Sequence, residues 1–344
     1  MRIVTGLLAA VTLVGVCARL LPSSLAALPG LPVIVSATPW FALTAALALA
    51  LTCVRGRGRR RGRAARRVVA CLMALALVLE AFWQLPYFSG SLGPLALWRS
   101  GDASAEAAPD ASLRVMTCNV YKGRADAKRI VELVRTEGVQ VLALQETTTD
   151  FVAELEANGL NELLPYSERS SSDGVYGNGV WSSLPLADGE SDDIGSSASA
   201  MPAGTVTVTL SDGSAVPVRF VSVHTTAPVP GYWDLWRKSI EEIGVVRGRL
   251  ADDPSRRYVL MGDFNATHDH APFRDMLGNT LFDAAELAGR GLTMSWPTDR
   301  AWLPAFCGID HVVVSSRISA SDMRTVEVAG TDHAALVCTL GIEG

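Results

Sequence analysis

Six apolar runs in the C-terminal two-thirds of the chain each carry, at one end, a side chain suited to ionic or proton-transfer chemistry. Asn119 closes LRVMTCN, Glu146 follows VLALQ, and His224 ends RFVSVH. Asp263 and Asn265 follow YVLMG, Asp310 leads into HVVVS, and Asp332 and His333 lead into AALVCTL. One polar residue at the end of a strand is commonly a cap. Six such ends in one domain converge on a common rim if the strands belong to stacked sheets. Oxygen ligands on that rim suit a hard cation, and amide or imidazole donors suit a phosphate.

The elements that must position these residues are legible from periodicity. Leu113–Val120 reads as a strand and Asp126–Thr136 as a helix, with Ile130, Leu133 and Val134 on one face and Gly138 as its stop. Val139–Gln145 is a near-continuous apolar run, as in a strand buried on both faces. Thr149–Asn158 is a second helix, closed by Gly159. Val175–Ser183, Thr205–Leu210 and Ala215–His224 read as strands, the last two joined by a turn at Ser211–Asp212–Gly213. Tyr232–Leu250 is the longest helix, Arg257–Met261 a strand and Ala271–Leu277 a helix, and Ile309–Ser315 and Ala334–Leu340 complete the strands. Strands and helices mix without strict alternation. The expectation is an α/β layered sandwich with central sheets, not a doubly wound sheet.

Composition divides the chain. Residues 1–112 hold 11 Lys/Arg against four Asp/Glu, a net +7, whereas residues 113–344 hold 19 against 31, a net −12, together with all five His. A mean hydropathy of +0.25 over 344 residues is too apolar for one ordinary soluble domain, and six Cys do not suggest a disulfide scaffold. Three apolar stretches, Ile3–Leu21, Leu31–Val54 and Val68–Leu85, are each of a length to cross a bilayer core of about 30 Å. Between the second and third lies RGRGRRRGRAARR (Arg55–Arg67), eight Arg without an acid. Such a run can bind nucleic acid or act as a nuclear address, but between two spans it fixes orientation by the positive-inside rule. The N-terminus is then cytoplasmic and everything beyond Tyr87 lies outside, with Trp40, Phe82, Trp83, Tyr87 and Phe88 at the outer interface. A signal peptide cleaved near Ala26 would leave that topology unchanged. Residues 1–88 are read as a three-span anchor of a cell-membrane protein, 89–112 as a flexible linker, and 113–344 as the extracytoplasmic domain. Arg19 and Glu80 fall at similar depth in the outer leaflet, and a pair between them is expected unless each snorkels alone.

The motifs TCNV, LQET, VSVHTTAP, LMGDFNAT, GIDHVVVS and TDHAALV, in this order, resemble those of the endonuclease/exonuclease/phosphatase superfamily. The likeness runs from Leu113 to Leu340. With its spans, the whole chain further resembles the membrane-anchored teicoplanin-resistance proteins of actinobacteria. The resemblance implies a four-layered α-β-β-α sandwich preceded by three transmembrane helices, and hydrolysis of phosphate esters with Mg²⁺, or with Mn²⁺ in its place. It implies Asn119, Glu146 and Asp332 as metal ligands, Asp263 as the residue that orients or deprotonates the attacking water, and Asn265 as a donor to a phosphoryl oxygen. Asp310 and His333 would form a carboxylate–imidazole pair that stabilises transition-state charge, and His224 would stand near the leaving group as a general acid. Gly308 and Thr331 stand where many relatives carry Arg or Ser, so local phosphate contacts are expected to differ.

Other suggestive residues have blander readings. His268–Asp269–His270 sits at a helix start, where Thr267 or Asp269 would cap at the surface. His311 should point away from the rim by strand alternation, and Trp233 and Trp236 belong to a core or membrane-facing surface. Cys118 and Cys338 read as buried thiols, while Cys307 has no evident partner. The net −12 of the outer domain, without a basic stripe, disfavours nucleic acid as a partner. Membrane lipids and a lipid-linked phosphate of the cell envelope, with undecaprenyl pyrophosphate as the example, are the expected partner and substrate. An extracytoplasmic nuclease or other phosphodiesterase, and a non-catalytic sensor module, are the alternatives.

Overall fold

A computed structural model of the chain describes residues 2–54, 60–91 and 109–344. Residues 55–59 of the Arg-rich run and 92–108 of the expected linker lie outside the described residues.

The N-terminal part is a helical bundle of α1 (Arg2–Arg19), α2 (Leu31–Ser36), α3 (Phe41–Cys53) and α4 (Arg60–Gln84). Small side chains let the long helices approach: Ala9, Ala45, Ala48 and Ala76 pack with Val16 and Met73, and a Cβ at Gly15 would run into the Phe41 ring. The hydroxyls of Thr12 and Thr44 share a hydrogen bond of 2.8 Å between α1 and α3. Among the described residues one helix, Gly62–Gly90, is long and apolar enough to cross a membrane, while Ile3–Arg19 and Thr38–Cys53 are apolar but shorter. The second expected span, Leu31–Val54, is not one helix. It breaks after Ser36, passes through a 3₁₀ turn at Thr38–Trp40 and resumes as α3. Pro39 is the cause: it lacks an N–H and disfavours helical backbone in the residue before it, and the Thr38 hydroxyl takes up the freed Val35 carbonyl at 2.7 Å.

The expected Arg19–Glu80 contact is also absent. Arg19, the last residue of α1, instead bonds Asp269 of the C-terminal domain at 2.5 Å and lies 4.0 Å from the Trp83 ring centroid. Glu80 is buried, and neither of its carboxylate oxygens has a hydrogen-bond partner.

The C-terminal domain stacks two six-stranded sheets. The first has the order β11–β12–β1–β2–β4–β3, made of β1 (Ala111–Asn119), β2 (Val141–Gln145), β3 (Tyr166–Arg169), β4 (Asn178–Ser182), β11 (Ile318–Val326) and β12 (Ala335–Ile342). The second runs β5–β6–β7–β8–β10–β9, made of β5 (Leu186–Glu190), β6 (Ala203–Thr209), β7 (Ala215–His224), β8 (Arg257–Asp263), β9 (Leu281–Asp283) and β10 (Asp310–Ser315). Strand alternation decides what each face meets. Val115, Val141 and Ala143 turn inward onto Val218, Phe220, Val259 and Val312 of the other sheet. Met116, Leu142 and Leu144 turn outward onto Ile130 and Leu133 of α5 (Ala127–Glu137) and Phe151 and Leu155 of α6 (Thr149–Ala157). On the far side, Val221, Leu260 and Val313 pack on Trp236 and Ile240 of α8 (Trp233–Ile243), Val246 of α9 (Val245–Asp252) and Phe273 of α10 (Ala271–Leu277). The result is the four-layered α-β-β-α sandwich.

Two boundaries differ from expectation. The long helix Tyr232–Leu250 is split at Gly244 into α8 and α9, and the strand expected from Val175 begins at Asn178, after a 3₁₀ turn at Gly174–Tyr176.

Candidate active site

Register brings the polar strand ends together. β1 and β2 run parallel with Asn119 beside Gln145, so Glu146 emerges next to Asn119. β7 and β8 run parallel with His224 beside Asp263, and antiparallel β10 begins where β8 ends, with Asp310 beside Asp263. Asp332 and His333 enter β12, the antiparallel neighbour of β1. The two sheets are pinned near this rim by Gln145, whose Nε2 donates to Ser222 Oγ at 3.0 Å and whose Oε1 accepts from Thr117.

Asp263 is the centre of the network. Its carboxylate accepts from Asn119 Nδ2 at 3.0 Å, from the Asn265 backbone N–H at 2.8 Å and from Asn265 Nδ2 at 3.2 Å. Asn119 Nδ2 also donates to Glu146 Oε1 at 3.2 Å, while its Oδ1 accepts from the Tyr121 N–H. His333 Nδ1 lies 2.9 Å from Asp310 Oδ2, and His333 Nε2 faces Asp263 Oδ2 at 3.7 Å and Asp332 Oδ1 at 4.0 Å. His224 Nε2 stands 3.8 Å from Asp263 and 3.9 Å from Glu146. All eight residues expected at the site are therefore in one place. Asn265 differs from its expected posture: its amide is turned to the Thr225 carbonyl and Asp263, so here it braces the carboxylate.

Strain marks the same residues. Glu146 and Asn265 adopt left-handed backbone, with φ of 59° and 47°, which costs a non-glycine residue free energy and persists where surrounding contacts over-determine it. Asn265 is held by Trp236, whose indole N–H donates to its carbonyl at 2.8 Å. Trp236 is thus core, as expected, and a brace for the site as well. Sequence reading also missed Trp296, which donates to Asp332 Oδ2 at 3.1 Å, and Thr331, whose hydroxyl donates to the Asn119 carbonyl and accepts from the His333 N–H. Only the position of Thr331 beside Asp332 hinted at such a role.

The electrostatics separate the two imidazoles. Burial opposes charge on His333, but Asp310 and then Asp263 outweigh it and push its pKa up to about 10. Burial prevails at His224 and lowers its pKa, so at neutral pH it lacks the proton a general acid must give. Glu146 and Asp263 are both raised, chiefly by burial. Buried carboxylates of this kind call for a cation. One oxygen each of Glu146, Asp310 and Asp332 is buried without a hydrogen-bond partner, and Glu146 and Asp332 line the same cleft. Two unsatisfied carboxylate oxygens on one wall fit a hard divalent ion. Asp263, Asp310 and His333 also come within 4.8 Å of one another as a possible ligand group. In that group, however, His333 Nδ1 is already engaged by Asp310.

A family model described as the Endonuclease/Exonuclease/phosphatase family matches residues 116–333. The chain belongs to this family. The enzymes of the family are generally metal-dependent phosphoesterases or nucleases. Solved structures agree on the fold. D. rerio TDP2, complexed with single-strand DNA product, is 16% identical over 67% of this chain and 99% of its own, with a TM-score of 0.52. Family proteins from Bacteroides thetaiotaomicron and Bacteroides vulgatus are 14% and 17% identical, each over 68% of this chain and 99% and 100% of their own, both with a TM-score of 0.51. No curated protein matches the chain.

The remaining singled-out residues fall outside the rim. His311 points away from it, as expected, to Asp283 Oδ2 at 2.9 Å and the Ala266 carbonyl at 2.8 Å. His268–Asp269–His270 is not a surface cap: Asp269 and His270 are buried, and no side chain caps α10. His270 Nδ1 accepts from the Thr267 N–H and its Nε2 meets the Pro32 carbonyl at 2.9 Å, while Asp269 holds Arg19. These residues seat the N-terminal helices on the domain. Cys118, Cys338 and Cys307 are buried free thiols, and Cys307 donates to the Ser36 carbonyl at 3.7 Å.

Proposed function

We propose that the protein is a membrane-anchored, Mg²⁺-dependent phosphoesterase that hydrolyses a lipid-linked phosphate or pyrophosphate at the outer face of the cell membrane. In this reading α1, α3 and α4 form a three-helix anchor whose Arg-rich run is cytoplasmic. The observation that carries it is the placement of the anchor. It is bonded to the domain beside the carboxylate–imidazole rim through Arg19–Asp269, Pro32–His270 and the Trp40 indole to the Phe306 carbonyl at 2.8 Å. A cleft of about 540 Å³ holding Glu146, Asp263, Asp332 and His333 therefore opens next to membrane-derived chain. The −12 charge of residues 113–344 further favours a compact phosphate over a polyanion.

Glu146 and Asp332 would hold the ion, with Asn119 Oδ1 completing the set through the lone pair that the Tyr121 N–H does not use. When bound, the ion neutralises charge on the phosphoryl oxygens. Asp263 is positioned to orient and accept a proton from the attacking water, with Asn119 and Asn265 fixing its rotamer. His333, kept cationic by Asp310, offers Nε2–H to the charge that builds in the transition state. His224 stays neutral and takes a hydrogen bond from water or the nucleophile.

The test is hydrolysis by full-length protein in vesicles with Mg²⁺, read as phosphate release from the pyrophosphate and as cleaved product from the diesters. Undecaprenyl pyrophosphate, a phospholipid and single-stranded DNA are compared, with Glu146→Ala and His333→Ala as controls. Metal-dependent release from a lipid phosphate, lost in both variants, is the expected result. Turnover of DNA alone would replace the substrate with nucleic acid, and silence on all three would leave a binding module.

A further inference from the structure

The catalytic cleft has an apolar lip, and part of that lip does not come from the catalytic domain. Val33 and Ser36, in the short helix α2 that follows α1, line the cleft together with the polar rim. Val33 is 60% exposed. Within residues 109–344, seven large apolar or aromatic side chains stand exposed, and four of them (Val175, Tyr176, Val229 and Tyr232) line this same cleft. Exposed apolar surface on a soluble-side domain is normally scattered; its concentration at one mouth marks a binding surface.

The lip is preceded in the chain by further exposed apolar residues. Leu20, Leu25 and Leu28 precede Val33 in the chain and are all exposed. The wall is also fixed in place, since the Pro32 carbonyl is bonded to His270 and the Ser36 carbonyl to Cys307, both in the catalytic domain. Along the chain, an apolar path of exposed side chains therefore leads from the end of α1 to Val33, which lines the cleft with the rim residues. A peptide or nucleobase would need polar partners along such a path, whereas a hydrocarbon chain needs none.

We infer that Val33, with Val175, Val229 and Tyr232, forms a subsite for the hydrocarbon chain of a lipid phosphate, so that the anchor supplies one wall of substrate recognition. This rests on the lipid-phosphate reading and adds the residues that sense the chain. Each methylene buried there should tighten binding about fourfold until the lip is filled.

The experiment uses full-length protein in lipid nanodiscs, with isopentenyl pyrophosphate (five carbons) and farnesyl pyrophosphate (fifteen carbons) as probes. Both kcat/KM with Mg²⁺ and equilibrium binding with the metal chelated are measured for wild type, Val33→Asp and Tyr232→Ser. Membrane partitioning favours the longer probe in every variant alike, so the variants decide. The expected result is that Val33→Asp and Tyr232→Ser weaken farnesyl pyrophosphate at least tenfold and leave isopentenyl pyrophosphate within twofold. Equal losses on both probes, or no loss on either, would overturn the subsite even if hydrolysis proceeds. If neither probe is hydrolysed but the selective loss of binding persists, the subsite stands and the phosphoesterase reading falls.

Discussion

Arg19→Met tests how the N-terminal helices are seated on the C-terminal domain. Arg19 and Asp269 meet at 2.5 Å with side chains 9% and 8% exposed. Removing one partner of a buried pair leaves the other charge undercompensated and costs about 3–5 kcal/mol, although the intact pair itself adds little net stability. Met retains helix propensity and an apolar stem on Trp83, so the loss is mainly electrostatic. Arg274 and Gln84 still favour the Asp269 charge, and uptake of a proton is its further relief. Burial already raises its pKa in the presence of Arg19, and without Arg19 it rises further. A carboxyl whose folded pKa exceeds its unfolded value contributes stability below the unfolded value and loses it as pH rises through the folded one. Arg19→Met should therefore be milder at pH 5 than at pH 8. Asp269→Asn alone strands the guanidinium, and the double variant removes both charges. Urea unfolding of the full-length protein in micelles, followed by tryptophan fluorescence, gives the cycle. A coupling of at least ~2 kcal/mol at pH 8 is expected. Additivity of the single variants within ~0.5 kcal/mol at both pH values would refute the argument that this pair seats the anchor.

Glu146→Gly relieves a left-handed residue at φ 59° and removes a buried, partly unsatisfied carboxylate, so metal-free stability should rise by roughly 1 kcal/mol while calorimetric Mg²⁺ binding is lost; a lower melting temperature would count against the strain. Asp310→Asn removes the charge on His333 Nδ1 and should lower turnover about 10²–10³-fold with little change in KM, readable in steady-state kinetics. His270 is held neutral, its pKa lowered from 6.5 to about 4 by burial. Because the unfolded chain takes up that proton first, stability is full above 6.5 and falls as pH drops toward 4, by on the order of 3 kcal/mol. His270→Gln should flatten that limb of the urea-midpoint profile, and an unchanged slope would show that other groups set it.

What was legible in the sequence follows from what burial does to composition. The eight strands visible in the sequence are the inner strands of the two sheets; the four that were not, β3, β5, β9 and β11, are the four edges. An inner strand touches protein on both faces and must be apolar, as Val141–Gln145 is, with all five residues buried. An edge such as Leu186–Glu190 is mostly exposed and reads LADGE, which has no strand period to detect. The site was legible for the same reason: a carboxylate or imidazole beside a wholly apolar run stands out. Its braces did not, because Trp236 and Trp296 look like core residues until their indole N–H groups are seen to bond Asn265 and Asp332.

The anchor's seat was illegible for a different reason. His270 and Asp269 find their partners 238 and 250 residues away, at Pro32 and Arg19, and no local pattern encodes such a pairing. The same distance shows that the anchor is more than a tether. Ala26 packs in the cluster that covers the second sheet, Tyr87 belongs to the core between the sheets, and the Gly289 carbonyl accepts from the Gly90 N–H at 3.1 Å. A tether would leave the domain's own core complete; here two core positions are filled from the N-terminal segment. Relative motion of anchor and domain would then open those cores. The rim and the apolar lip of the cleft are thus held in fixed register by the same contacts.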